Sequence, residues 1–444
     1  MPVVLANAAV LASALPRYRA FLRALDDPER AQRARLQAIA GMTYEAFRER
    51  VPLSDYADYA ERIERAMGDP SLRFVPTSGS TSSRKWIPYP PAFTRELDAA
   101  AAPWLADLML RDPRVMRGPH YWSLSWLPDE LRARRGASDD LDALPPLRRA
   151  LLRATMAVSP AVAQLATSDD AMRETARQLA ACEDLALISV WSPTFLLELL
   201  RLMPWPPHWP RLRVISCWTS STSARWAAAL AERFPQATVQ GKGLWATEGV
   251  VTIPFRGAYP LALRSHFYEF RRGDAIVPSW ELREGDVVQP IVTASSGLHR
   301  YALHDRVLIT GFLNRTPTLA FLGRLDGTDL VGEKVSAEVA ASVLASVDAL
   351  TLFAVATPRP HYVVVAERGD ANALALRVDA ALRAHHHYAL AREVGQLDAP
   401  RAIIAADALA RLLAYGKRRG LSSGEVKIEA LSEWRGTRGP GEEL

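Results

Sequence analysis

Three apolar runs, Leu185-Ala-Leu-Ile-Ser-Val190, Arg213-Val-Ile-Ser-Cys217 and Ala237-Thr-Val-Gln240, alternate with stretches of helical spacing rich in Leu and Ala. A strand that is apolar on every side has both faces covered. Runs of this kind separated by helices therefore predict a parallel sheet sandwiched between helices. Upstream, Leu22, Leu25, Leu36 and Ile39 recur among charged residues at helical intervals, so residues 1–70 read as helices. From 71 to about 120 a short strand, a hydroxyl-rich loop and another helix are expected.

The pattern changes after about residue 250. Val250–Pro254, Phe267–Phe270, Asp286–Val292, Arg306–Thr310 and Leu319–Leu322 are short, turn-bounded and partly alternating, as antiparallel strands are. Beyond Arg324 a shorter β–α pattern returns, with helices expected near Ser336–Val347 and Asn372–Arg383 and strands at Leu350–Val355 and Tyr362–Ala366. A chain of 444 residues exceeds one ordinary core. The expected fold class is α/β: a large N-terminal domain, 1–323, with parallel sheet flanked by helices and a β-rich portion, and a small α+β C-terminal domain, 324–444. The Gly-, Pro- and charge-rich stretch from Arg435 is expected to fray.

Apolar residues make up 49% and charged residues 23%, the balance of a globular chain. No apolar run reaches the roughly 18–20 residues of a spanning helix. Val3–Leu15 is apolar with no basic residue before it, so a packed first helix is expected rather than a secretory signal. Cys182 and Cys217 lie in apolar segments without metal-type spacing and read as buried thiols in a reducing cytoplasm. The net charge of +5 is spread over single arginines, which gives no nucleic-acid footprint and no membrane patch. Only five of 54 basic residues are lysines: Lys85, Lys242, Lys334, Lys417 and Lys427. Lysine and arginine differ in shape and hydration, so a lysine retained against this background marks a place that needs a compact ammonium.

Four segments carry chemistry. In Phe74-Val-Pro-Thr77-Ser78-Gly79-Ser80-Thr81-Ser82-Ser83-Arg84-Lys85-Trp86-Ile87-Pro88, hydroxyls and backbone amides followed by a lysine suit phosphate oxygens. A flexible Ser-rich linker has the same composition, but Phe74 and Trp86 pin this one at both ends. The P-loop spacing is absent. Gln240-Gly-Lys-Gly243-Leu-Trp-Ala-Thr247-Glu248-Gly249 offers a carboxylate in what is otherwise an ordinary turn. Arg300-Tyr301-Ala-Leu-His304-Asp305 places an Asp before a strand, where it either solvates a turn or accepts two ribose hydroxyls. The fourth is Phe321-Leu-Gly-Arg324 with Gly332-Glu333-Lys334.

The order of these segments resembles the adenylate-forming superfamily, and within it the acyl-acid amido synthetases of the auxin-responsive (Gretchen Hagen) family. The resemblance runs from Tyr44 and Val51-Pro-Leu-Ser-Asp-Tyr56 through Thr77–Lys85, Ile188–Pro193, Trp218–Ser221, Gly243–Gly249 and Tyr301–Phe312 to Lys334. It implies that Thr77, Ser78, Gly79, Ser80, Thr81 and Lys85 hold the β- and γ-phosphates of ATP, and that Ser220 and Ser221 border the adenine. It further implies that Thr247 touches the α-phosphate, Glu248 ligates Mg²⁺, Asp305 grips the ribose and Arg324 sits at a hinge. Trp122, Trp191, Phe195 and Trp218 are candidates for the acyl pocket, and equally for ordinary core aromatics.

The small domain is implied to supply one adenylation lysine. Lys427 in Gly424-Glu-Val-Lys427 matches the family's terminal element, and Lys417 in Tyr415-Gly-Lys417 resembles the ending of acyl-CoA ligases; Lys427 is the expected one. Ser82 and His304 stand where relatives carry Gly, and Leu244 where many carry an adenine-stacking Tyr, with Trp245 as a possible substitute. The implied reaction activates a small carboxylic acid as an acyl-adenylate and transfers it to an amine or amino acid, in a monomer or homodimer. A thioester-forming acyl-CoA ligase and a non-catalytic binding relative remain as alternatives.

Overall fold

Leu, Ala and Phe at helical spacing bury one face of the first helix, Val3–Asp26, through Ala6, Val10, Ala14, Phe21 and Leu25. Ala14 meets Ala102 and Ala106 of the helix Pro91–Arg111, and small residues on both sides allow close approach. The next helix, Pro28–Ala40, starts where the Asp27 carboxylate accepts from the Arg30 amide, and it stops at Gly41 in the left-handed region. These features come from a computed structural model, which describes residues 2–69, 72–77, 85–123, 146–220, 223–324, 327–328, 330–419, 421, 426–436 and 438–444; for 146–148, 324 and 327 only the backbone is described.

The chain divides into two compact units, Met1–Thr219 with Arg225–Phe321, and Ser220–Ala224 with Leu322–Leu444. In the first, β1 (Phe74–Pro76) and β2 (Trp86–Pro88) form an antiparallel pair, and the Thr77 amide donates to the Lys85 carbonyl at 2.8 Å to close the base of the loop between them. The apolar runs then build a four-stranded, wholly parallel sheet: β3 (His120–Trp122), β4 (Leu187–Ser189), β5 (Val214–Cys217) and β6 (Thr238–Gly241), in that spatial order. Every residue of β4 and β5 is buried, as uninterrupted apolar strands require. Helices Pro193–Leu202 and Ala224–Arg233 make the crossovers.

Two short strands follow, β7 (Trp245–Ala246) and β8 (Gly249–Val250), joined by Thr247-Glu248. The expected strand at 250–254 leaves the ladder after Val250, because Pro254 has no N–H to give. Val251, Ile253 and Phe255 enter the core instead, with only the single bridges Thr252–Leu261 and Phe255–Ala258. The β-rich portion is a sheet of β9 (Phe267–Arg272), β10 (Ala275–Pro278), β11 (Val287–Thr293), β12 (Tyr301–Ala302), β13 (Asp305–Leu313) and β14 (Thr316–Arg324), ordered β10-β9-β11-β13-β14 with β12 on β11.

The second unit holds the pair β15 (Gly327–Thr328) and β16 (Val335–Ser336), and a four-stranded sheet of β17 (Thr351–Val355), β18 (His361–Ala366), β19 (Arg401–Ile404) and β20 (Leu431–Glu433) in the order β19-β18-β17-β20. The helices expected there form as Ala337–Val347, capped by the Ser336 hydroxyl, and Ala371–Leu382, capped by Asp370. The expectation of a frayed tail is corrected. Trp434 stacks on Tyr415 with ring centres 4.6 Å apart, and Arg411 donates to the Leu444 carbonyl at 2.8 Å. Those two anchors outweigh a composition typical of loose ends. Both cysteines are free thiols, and burial pushes them up, Cys182 to about 11 and Cys217 to about 12. Among the described residues no helix is long and apolar enough to cross a membrane.

Candidate active site

Lys85 opens β2 with its Nζ 5.6 Å from the centre of the Tyr56 ring, and the Tyr56 hydroxyl oxygen accepts from the Trp86 amide at 2.9 Å. Tyr56 thus binds the end of the hydroxyl-rich loop from below. The same segment reaches the strand ahead of Asp305. The Ser54 amide donates to the Arg300 carbonyl, and Ala302 donates back to Ser54, each at 3.0 Å. Tyr59 donates to the His299 carbonyl at 2.9 Å and accepts from its amide at 3.0 Å. Arg300, in the left-handed region at φ 49°, turns its guanidinium inward. It pairs with Glu269 through two bonds of 2.8 and 3.0 Å and donates to the carbonyls of Arg48 and Val51. The motif around residues 51–56 and that around 301–305 are therefore one structure, and Asp305 begins β13 just beyond it.

The turn carrying Glu248 is held from both sides. Tyr89, just after β2, donates its hydroxyl hydrogen to the Thr247 carbonyl at 2.9 Å. Gly243 has φ 77°, and a Cβ there would lie 2.6 Å from the Thr252 carbonyl oxygen, so only glycine lets the chain approach the Thr252 hydroxyl that receives the Leu244 amide. Gly249 lies against the His266 ring, which a Cβ would meet at 3.0 Å. Beneath, His266 Nδ1 stands 3.0 Å from Glu96, whose carboxylate also receives Arg35 and Ser295 at 2.6 Å each. Burial raises the Glu96 carboxyl, but the bonds from His266 and Ser295 outweigh it and hold it below its ordinary value. Burial keeps His266 below its ordinary value against the pull of Glu96. The neutral ring then donates from Nδ1.

Tryptophans gather where the parallel strands end. The Trp191 ring lies 6.2 Å from Trp218 and 6.0 Å from Trp245. Lys242 Nζ sits 4.9 Å above Trp191 and 5.5 Å above Trp104, and it donates to the Ser189 hydroxyl at 2.7 Å. Trp104 in turn meets Trp122 edge-on at 6.0 Å and donates to Gln240 at 2.8 Å. Of the four aromatics expected around an acyl group, Trp191 and Trp218 come together, Trp122 stands beside Trp104, and Phe195 lies in the hydrophobic core with Leu196 and Leu199.

The GH3 family N-terminal domain matches residues 19–206 and the GH3 family central domain matches 259–324, together more than half of the chain. This chain belongs to the GH3 family. Among solved structures it is similar to "GH3.15 acyl acid amido synthetase", with TM-score 0.75 and 15% identity over 94% of this chain and 93% of that one. It is equally similar to "AtGH3.15 acyl acid amido synthetase in complex with 2,4-DB", with TM-score 0.73 and 16% identity over the same shares. At such identities the likeness is one of fold. No curated protein matches the sequence.

In this GH3 chain the remaining expected positions fall as follows. Thr77 closes the base of its loop, while Ser78, Gly79, Ser80, Thr81 and Ser221 lie outside the described residues. Ser220 accepts from the Ser223 amide at 3.2 Å. Arg324 ends β14, with only its backbone described. In the second unit, Lys427 Nζ stands 3.5 Å from Glu429, and Lys417 occupies the last turn of the helix Ala408–Arg418. Tyr59, Tyr89, Trp104 and Lys242 are additions to the site that motif reading did not assign, and of these four Lys242 alone had a signal, as one of the rare lysines.

Proposed function

We propose that this GH3 chain is an ATP-dependent acyl-acid amido synthetase. A carboxylate oxygen of a small acid attacks the α-phosphorus of ATP and pyrophosphate leaves. An amine, best an amino acid as its free base, then attacks the acyl carbon, forms the amide, loses a proton and releases AMP. No protein nucleophile is needed; position and charge carry both steps. The observation that carries this reading is the Tyr89–Thr247 bond, which ties the hairpin ending at Lys85 to the turn of Glu248 within a GH3 chain. The Tyr56–Ser54–Arg300 connections support it, because they bring the strand of Asp305 to the same hairpin.

In this reading the loop from Thr77 through Ser78, Gly79, Ser80 and Thr81 to Lys85 holds the outer phosphates, and Thr247 orients the α-phosphate. Asp305 accepts the ribose hydroxyls, Arg324 lies near the ribose, and Ser220 and Ser221 border the adenine. Lys427 offsets charge on the leaving pyrophosphate. Trp191, Trp218 and Trp122 receive a flat apolar acid. Among the described residues no group of three or more His, Cys, Asp or Glu stands together, and Mg²⁺ does not ask for one, since it binds through one or two carboxylates and the substrate's phosphates. Glu248, half-buried on its turn, fits that demand, and Mg²⁺ held there would neutralise phosphate charge. An activity that consumes ATP and forms an amide supports a cytoplasmic location.

The test is acid-dependent pyrophosphate release from ATP and Mg²⁺ over a panel of aryl and alkyl acids, followed by amino acids with the best acid. Amide formation is the expected result. Thioester formation from CoA without any amine would replace this reading with an acyl-CoA ligase, and no release across the panel would leave only a binding protein.

A further inference from the structure

Lys242 is buried to 8% exposure, and among the described residues no carboxylate pairs with it. Among the described residues its ammonium meets the hydroxyls of Ser189 at 2.7 Å and Ser216 at 3.5 Å and the faces of Trp104 and Trp191, with the neutral Cys217 thiol nearby. A buried cation without an anion is costly, and a desolvated lysine is held near its neutral form. Burial brings Lys242 down to about 7.

The surroundings of Lys242 hold further donors whose hydrogens go unmatched among the described residues. Trp122, Ser189, Ser216 and Gln240 stand in register across β3, β4, β5 and β6, so their side chains share one face of the sheet. Both serines accept from the ammonium, and among the described residues neither hydroxyl hydrogen has an acceptor. Among the described residues the buried Trp122 indole N–H has no partner. Buried donors are normally satisfied. Here an ammonium, two hydroxyls and an indole N–H lie together on an aromatic floor and want an acceptor.

We infer that this face, with Lys242 at its centre, binds a second carboxylate on the acid being activated, so that the preferred substrate class is an aryl dicarboxylic acid. The inference rests on the amido-synthetase reading and names the acid it takes. The carboxylate that reacts is excluded on chemical grounds. It loses its charge on becoming a mixed anhydride, which would leave Lys242 uncompensated through the second step. An amine that is free base near neutral pH would also attack an adjacent acyl-adenylate and acylate itself. A carboxylate at the far end of the acid keeps its charge through both steps and keeps the lysine away from the anhydride.

The experiment compares benzoate with isophthalate and terephthalate as acids for pyrophosphate release by the full chain. The wild type should favour at least one diacid over benzoate by about 10- to 100-fold in kcat/KM, the worth of a charge-assisted bond in a dry site. Lys242→Met should bring that ratio to about one. Equal kcat/KM for all three acids in the wild type, or an unchanged ratio in Lys242→Met, would overturn the inference and leave Lys242 a structural cation. If Lys242→Met does not fold, the Ser189→Ala/Ser216→Ala variant is read the same way, with the ratio falling toward one. If no acid releases pyrophosphate, the amido-synthetase reading fails. Calorimetric titration of the wild type with isophthalate, terephthalate and benzoate then decides separately: tighter binding of a diacid supports the site, and equal binding removes it.

Discussion

Tyr89 donates to the Thr247 carbonyl across 2.9 Å, so the residue just after the β1–β2 hairpin fixes the turn that presents Glu248. Tyr89→Phe keeps the ring, which packs edge-on against Phe93 at 4.8 Å, and removes this bond. Its loss costs about 1 kcal/mol of stability. If the bond also positions Thr247 at the α-phosphate, kcat/KM for pyrophosphate release should fall about tenfold, since small misplacements are felt strongly at a reacting centre. Unchanged kcat/KM with a lowered Tm would make Tyr89 a folding residue only.

Lys85 and Glu248 make a sharper pair of tests. Lys85→Ala removes a contact with the Tyr56 ring worth about 0.5–1 kcal/mol, so its Tm should hardly move. Adenylation should nevertheless fall by about 100-fold or more in both Lys85→Ala and Glu248→Ala, because each is assigned to charge that develops as pyrophosphate leaves. Wild-type rates in both variants would contradict the site.

The contrast between these residues and their supports explains what could be read from the chain. The parallel sheet was legible because β4 and β5 are apolar throughout, and burial on both faces leaves no other pattern. The segments Thr77–Lys85 and Gln240–Gly249 stand out in the sequence because their residue types are local, and the roles expected of them are proposals. The tyrosines that join them do not stand out. Tyr59 finds the His299 carbonyl 240 positions away and Tyr89 finds Thr247 158 positions away, separations that leave no trace in spacing. The tail failed for the opposite reason: its local composition was legible, but the stacking of Trp434 on Tyr415 that overrides it was not. Trp104 lies in an Ala-rich helix with no local signal, and Gln240 and Lys242 meet it only in the fold.

Arg300 and Glu269 should behave as a unit. Glu269 is 1% exposed, and Arg300 supplies both its oxygens while satisfying the carbonyls of Arg48 and Val51. Arg300→Met strands the carboxylate and should destabilise by about 3–5 kcal/mol, whereas the further change Glu269→Met should restore a good part of it. Urea melts of the single and double variants check this. A double variant as weak as the single one would show that the carbonyl contacts, rather than the ion pair, hold the segment ahead of Asp305.

Lys242 gives a pH dependence with a definite sign. Burial lowers its folded-state value from 10.5 to about 7, and the titratable neighbour acting on it among the described residues, Cys217, stays a neutral thiol because burial pushes it up to about 12. Between pH 7 and 10.5 the unfolded chain binds more protons at this site, so the penalty is full below pH 7 and fades as pH rises toward 10.5. Lys242→Met should therefore raise Tm by about 3 °C or more at pH 6.5, with the gain shrinking by pH 10. A gain that does not depend on pH would mean that the lysine is not held as a buried cation.

Lys427 and Lys417 can be separated because the two half-reactions can be. In the second unit, Val426 and Ile428 are buried on either side of Lys427, which meets Glu429 at 3.5 Å with both side chains about a quarter exposed (27% and 25%). Gly416, just before Lys417, lies so close to Val426 that a Cβ would come within 2.7 Å of its Cγ1, which fixes the helix Ala408–Arg418 against the segment of Lys427. The two lysines thus sit on elements locked together, and position alone does not rank them. Chemistry does. A lysine that offsets charge on departing pyrophosphate acts in adenylation and has no part in amine attack. Lys427→Ala should lower acid-dependent pyrophosphate release by about 100-fold and leave amide formation from a supplied acyl-adenylate near the wild-type rate, while Lys417→Ala should change neither. The reverse pattern would assign Lys417. An equal loss in both half-reactions for Lys427→Ala would show that its pairing with Glu429 serves only to shape the unit.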